Sequence, residues 1–232
     1  MAKRKVPLVT GEHYHVISRS TMQTPIFQAN SDLDIALKCL KYYAREDSFP
    51  KFSYWLHNQA KIPLDYSHLL VSIEAFCIMP THIHLLLKQL SDKGIETYMQ
   101  RLLTSYSHYY NKKHQQSGSI FAGRFRAVHI ETEDQFMHVS RYIHLNPSSA
   151  GIVKDPLDYP YSSLNEYQKD IAIPPIDPSY VLDCFSSKES YLQFVLSRKD
   201  YQRKLQLIKY ALIDYDEPGS SSDYSEPGSE IL

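Results

Sequence analysis

The sequence predicts an α+β fold, an antiparallel sheet flanked by helices, and three observations carry that expectation. β-type and helix-type hydrophobic patterns alternate in the order β, α, β, β, α, β, α before residue 150. Hydrophobic residues make up 43% and charged residues 22%, with only 7 glycines, which excludes a low-complexity chain or a repeat fibre. A chain of 232 residues is long enough to bury a sizeable core, as one large domain or two small ones.

The elements follow in order. Tyr14 to Arg19 reads as a short strand. Ser31 or Asp32 is placed to cap a helix reaching Arg45, with Leu33, Ala36, Leu37 and Leu40 on its inner face. Residues 46–68 are aromatic and punctuated by prolines, and they match no element pattern. Leu69 to Met79 and Ile83 to Lys88 are strand-like and broken at Pro80. A long helix is expected from Ile95 to His114. A further one starts at Thr132, where Thr and Gln in TEDQ have capping-box spacing, and should stop before Pro147.

Beyond a Pro-rich connector, Ile173 to Ser179, apolar positions recur at helical spacing from Ser187 to Ile213. From Asp214 onward the chain is acidic and rich in Ser, Pro and Gly, and reads as disordered. The expected organisation is a catalytic domain over 1–170, a helical extension over 171–213 and an acidic tail over 214–232. Six acids and no base lie in that tail, so the formal charge of -1 hides a value of +5 over residues 1–213.

Several classes are excluded. The longest uncharged apolar stretch, Ala75 to Leu87, is well short of the roughly 20 residues of a membrane-spanning helix. The first residues carry bases but no apolar run, so no secretory signal is read and a cytoplasmic protein is expected. Cys39, Cys77 and Cys184 fit neither a disulfide framework nor a paired-cysteine zinc site, and read as small buried hydrophobes.

Three constellations could carry chemistry. His82 and His84, two apart on an expected strand, face the same way and could chelate one divalent ion with at least one further ligand. His13 and His15 form a rival pair, but apolar residues flank the His82 pair on both sides. On the Thr132 helix, His138, Tyr142 and Asn146 follow at i, i+4 and i+8 as a polar stripe. A phenol is a poor nucleophile in water, and a nearby metal that polarises phosphorus removes much of that handicap. Asn146 could supply a further oxygen ligand.

Between Thr97 and Ile130 there are five bases (Arg101, Lys112, Lys113, Arg124, Arg126), three histidines and no acid. Tyr98, Tyr106, Tyr109, Tyr110, Phe121 and Phe125 are interleaved with them, as expected where unpaired bases stack against a charged groove. A solvated basic helix face explains the charge equally well.

Read together, GEHYHVISRS (11–20), MPTHIHLLLK (79–88), GRFRAVHIETED (123–134) and RYIHLNPSSAGIV (141–153) resemble the REP-associated tyrosine transposases, single-tyrosine insertion-sequence transposases of the HUH superfamily. The resemblance covers residues 7–167. It implies an HUH, ferredoxin-like-related sheet, with the His-hydrophobe-His motif on His82, Ile83 and His84, the nucleophile on Tyr142 and the amide metal ligand on Asn146. It also implies Mg²⁺ or Mn²⁺, single-stranded or hairpin DNA as partner, and no ATP. Thr81 stands where the family usually has Asn, Ser20 where Gly is common, and Ser148 and Ser149 where a Val-Arg pair is usual.

The implied function is cleavage and rejoining of single-stranded DNA through a 5′-phosphotyrosine link, at REP-like hairpins, by a monomer or homodimer. One alternative is a metal-activated water that hydrolyses the phosphodiester. Another is a non-catalytic, domesticated protein that holds hairpin DNA.

Overall fold

The computed structural model describes residues 7–169, 171 and 173–197. Four strands, β1 (His13–Arg19), β2 (Val71–Met79), β3 (His82–Gln89) and β4 (Arg126–His129), form one antiparallel sheet in the order β2-β3-β1-β4. β2 and β3 are a hairpin turned by Pro80 and Thr81, so the proline sits where no ladder N–H is needed. β2 is buried throughout and β3 from Ile83 to Leu87, the pattern of strands covered on both faces.

Helices α1 (Asn30–Tyr43) and α3 (Gly94–Lys113) cover one face. Their Leu33, Leu40, Tyr98, Leu102 and Tyr106 pack with Val16, Ile73, Leu85 and Leu87 of the sheet. Helices α4 (Glu133–Ser149), α5 (Ser179–Leu182) and α6 (Lys188–Leu196) cover the other. There Phe136, Val139, Ile143, Val181, Tyr191 and Val195 pack on Ala75, Cys77 and Leu86. Alternation along β2 and β3 thus feeds two separate cores from one hairpin. α3 starts beneath Leu70, and a Cβ on Gly94 would stand 2.3 Å from the Leu70 carbonyl oxygen, so that approach demands glycine.

Residues 46–68 contain α2 (Phe52–His57), whose Phe52 and Trp55 make a small core with Cys39 and Tyr42. Trp55 Nε1 donates to the Ile62 carbonyl at 3.1 Å and closes the segment on itself. The connector near residue 175 docks along the outer edge of β2: Ile73 N donates to the Pro175 carbonyl and Asp177 N to the Ile73 carbonyl. Further along that strand, Ile78 N donates to the Tyr161 carbonyl. The edge is thereby blunted.

Three details depart from the sequence reading. Ala29, not Ser31 or Asp32, is the N-cap of α1, because Asp32 is buried and ion-paired with Lys113 at 2.5 Å. Thr132 Oγ1 does cap α4 by accepting from Gln135 N, but the Gln135 side chain accepts from Glu131 N and the box is not reciprocal. α4 also runs through Pro147 to Ser149. A proline in the last turn removes only the bond its own N–H would have made to Ile143, and Gly151, at φ +71, ends the turn.

α6 occupies the first part of the amphipathic stretch after Ser187; the rest of that stretch and the acidic tail over 214–232 lie outside the described residues. Among the described residues no helix is long and apolar enough to cross a membrane.

Candidate active site

β3 enters the sheet at His82, and the period of two places His82 and His84 on the face covered by α4 while Ile83 joins the opposite core. The two imidazoles meet edge to face with centroids 4.7 Å apart. On α4, Val139 and Ile143 are buried against the sheet, which brings the half-buried Tyr142 to the rim of the same contact. Its ring lies 5.5 Å from that of His84, at 89°, and 6.1 Å from that of His15. The sequence-predicted His82, His84 and Tyr142 therefore belong to one cluster of rings.

His15 is the member that the sequence reading did not assign to this cluster. It is a diagonal neighbour of His84, because Ile17 is the direct partner of His84 and Leu86 that of His15. The two rings stack at 23°, both wholly buried, with His15 Nε2 3.1 Å from His84 Nδ1. One of these nitrogens carries the proton and the other accepts it. His13, the other half of the rival pair, instead puts Nε2 2.9 Å from Glu74 Oε1, so His13 and His15 do not act as a chelate.

A metal ligand must offer a lone pair, and the surroundings keep both imidazoles neutral. Burial, with the charge of Arg19 adding to it, lowers His82 from 6.5 to about 4. Burial first, then His82, His15 and Arg19, lowers His84 well below its ordinary value. Each ring is held through Nδ1, His82 by the Thr81 hydroxyl at 2.9 Å and His84 by His15, an arrangement compatible with coordination through Nε2. Among the described residues no three His, Cys, Asp or Glu converge on a metal site, so the third protein ligand would be of another type. Asn146 suits that role chemically. Half-buried one turn beyond Tyr142, it donates through Nδ2 to the Tyr142 carbonyl at 3.0 Å, which leaves its amide oxygen available as an acceptor. Two neutral imidazoles and an amide oxygen fit a divalent ion.

The rest of the predicted stripe and basic set is dispersed. His138 is buried against α6, its ring 5.2 Å from that of Phe194 and Nε2 3.5 Å from Asp134. Arg101 donates to the carbonyls of Arg45 and Glu46, and Lys113 to Asp32 and Ser31. Both, with the exposed Lys112, belong to α3, across the sheet from Tyr142. Tyr98, Tyr106, Tyr110 and Phe121 are buried, so these rings form core rather than a surface for bases.

Arg124 and Arg126 are exposed. Arg126 is the cross-strand partner of Ile17, itself the partner of His84, and it shares the face of the sheet that carries His84, about 10 Å away. Arg19, also missed by the sequence reading, is the direct partner of His82.

A sequence profile described as "Transposase IS200 like" matches residues 9–146. Among solved structures, the complex of a REP-associated tyrosine transposase with a REP hairpin aligns with a TM-score of 0.50 at 17% identity, over 81% of this chain and 96% of that one. A Deinococcus radiodurans R1 crystal structure, described only as a candidate transposase, aligns at TM-score 0.35 and 14% identity, over 61% of this chain and 95% of that one. No curated protein matches the chain.

Proposed function

The chain belongs to the IS200-like transposases, a family of DNA-cleaving enzymes, and from that premise we propose that it cleaves and rejoins single-stranded DNA through Tyr142, at hairpins of REP type. The observation that carries this reading is the packing of the Tyr142 ring on His84, beside His82 and His15. The hairpin-bound transposase with the similar fold supports hairpin DNA as the partner.

In this reading the Tyr142 oxygen attacks a phosphodiester. A Tyr–O–P bond forms, the bond from phosphorus to the 3′ oxygen breaks, and that oxygen takes up a proton while the phenol loses one. Rejoining reverses the transfer with a different 3′ end. Because the phosphodiester becomes a phosphotyrosine ester, no nucleotide hydrolysis is required.

His82, His84 and Asn146 would hold the Mg²⁺ or Mn²⁺. Such an ion, when bound, supplies Lewis-acid polarisation of the phosphate and a template for its orientation. His15 fixes the ring plane of His84, and Thr81 that of His82. Arg19 and Arg126 lend positive charge to the face where the phosphate backbone would lie.

The test is a denaturing gel of the protein with Mn²⁺ and a labelled hairpin strand. The wild type should give a denaturant-stable protein–DNA species and Tyr142→Phe none. Hairpin binding without any such species in the wild type would favour the non-catalytic reading. Cleavage without it would favour hydrolysis by an activated water.

A further inference from the structure

On the side of the sheet away from Tyr142, a groove of about 930 Å³ separates α3 from the α2 segment, and no step of the proposed reaction uses it. Phe52 and Leu56 form one wall, Lys51, Arg101, His108 and Lys112 line it as well, and among the described residues no Asp or Glu does. Arg101 is engaged with two backbone carbonyls, so the charge that faces an incoming group comes chiefly from the exposed Lys51 and Lys112. Phe49, next in the chain to the lining residue Ser48, is 76% exposed.

Apolar walls, basic residues on both sides and a protruding aromatic ring are the parts of a site for unpaired nucleic acid. The phosphates follow the charge and a base stacks on the ring. A duplex would leave the ring and the walls without partners, because its base faces are already stacked.

We propose that this groove binds single-stranded DNA, a part of the substrate other than the one cleaved, with Lys51 and Lys112 on its phosphates and Phe49 against a base. The inference rests on the strand-transfer reading only for the identity of the nucleic acid. It gives residues 46–68 a purpose: α2 supplies one bank of the groove and α3 the other.

The test is the affinity of a labelled oligothymidylate, measured across a salt series, for the wild type, for Lys51→Glu/Ser53→Glu and for Phe49→Ala. All three positions are exposed, and acids near the start of α2 favour the helix, so folding should persist and thermal unfolding would verify it. The charge-reversed variant should bind at least roughly 10-fold more weakly, and the slope of log affinity against log salt should fall by about 0.7 for the single phosphate that Lys51 no longer neutralises. Phe49→Ala should weaken binding roughly 5-fold or more.

Wild-type affinity and slope in the charge-reversed variant would overturn the proposal. The strand-transfer reading fails separately, through the absence of a covalent species in the wild type. A wild type that forms none while the groove variants still bind more weakly would sink that reading and uphold the groove.

Discussion

His15 Nε2 stands 3.1 Å from His84 Nδ1, and both rings are wholly buried, so a histidine of β1 lies behind a histidine of β3 rather than beside it as a second ligand. In a His15–His84 pair that presents His84 Nε2 to a cation, His84 Nδ1 carries the proton and His15 accepts it.

His15→Leu removes that acceptor and should lower Mn²⁺ affinity about 10- to 100-fold, read by isothermal titration calorimetry on the apoprotein. His15→Gln, which retains an acceptor, should recover part of the loss. Equal affinity in wild type and His15→Leu would show that the pair does not orient the ligand.

Acid should destabilise the protein in a defined window. Burial holds His144 at about 3 and His82 at about 4, and lowers His84 well below its ordinary value. Their folded values lie under the unfolded value of 6.5, so between these limits the unfolded chain binds more protons. The stability they contribute is complete above pH 6.5 and is lost as the pH falls towards 4. The urea midpoint of the metal-free protein should drop across that interval, and a flat midpoint would contradict the assignment of neutral, buried imidazoles.

Tyr191 ties α6 to α4 and should matter for stability rather than chemistry. Its hydroxyl lies 2.6 Å from His144 Nδ1 and 3.2 Å from Ser140 Oγ, and His144 Nε2 lies 2.8 Å from Ser163 Oγ. Tyr191→Phe leaves buried polar groups short of a partner and should cost about 1–3 kcal/mol in chemical denaturation. No measurable change would mean that the network does not bind the extension to the sheet.

The strands were readable because β2 and β3 are apolar runs split by a turn proline, and the helices because α1, α3 and α4 carry a clear helical period. Tyr98, Leu102, Tyr106 and Tyr110 are four apart, a core stripe that the interleaved bases disguised as a stacking surface. His15 was harder to place, since 69 residues separate it from His84 and only the β1–β3 register joins them. The α2 segment resisted because α2 is only six residues long, too short for the spacing of Phe52 and Trp55 to stand out as a helical period. Pro147 misled because the rule against helical prolines weakens in a last turn, where few backbone bonds remain to be lost.

Peptide mapping by mass spectrometry of the protein after reaction with Mn²⁺ and hairpin DNA tests most directly whether Tyr142 is the residue that joins to DNA. A nucleotide mass attached through a 5′ phosphate should appear on the peptide that carries Tyr142, and on no other tyrosine peptide. A nucleotide on a different tyrosine, or cleaved DNA with every tyrosine peptide unmodified, would contradict it.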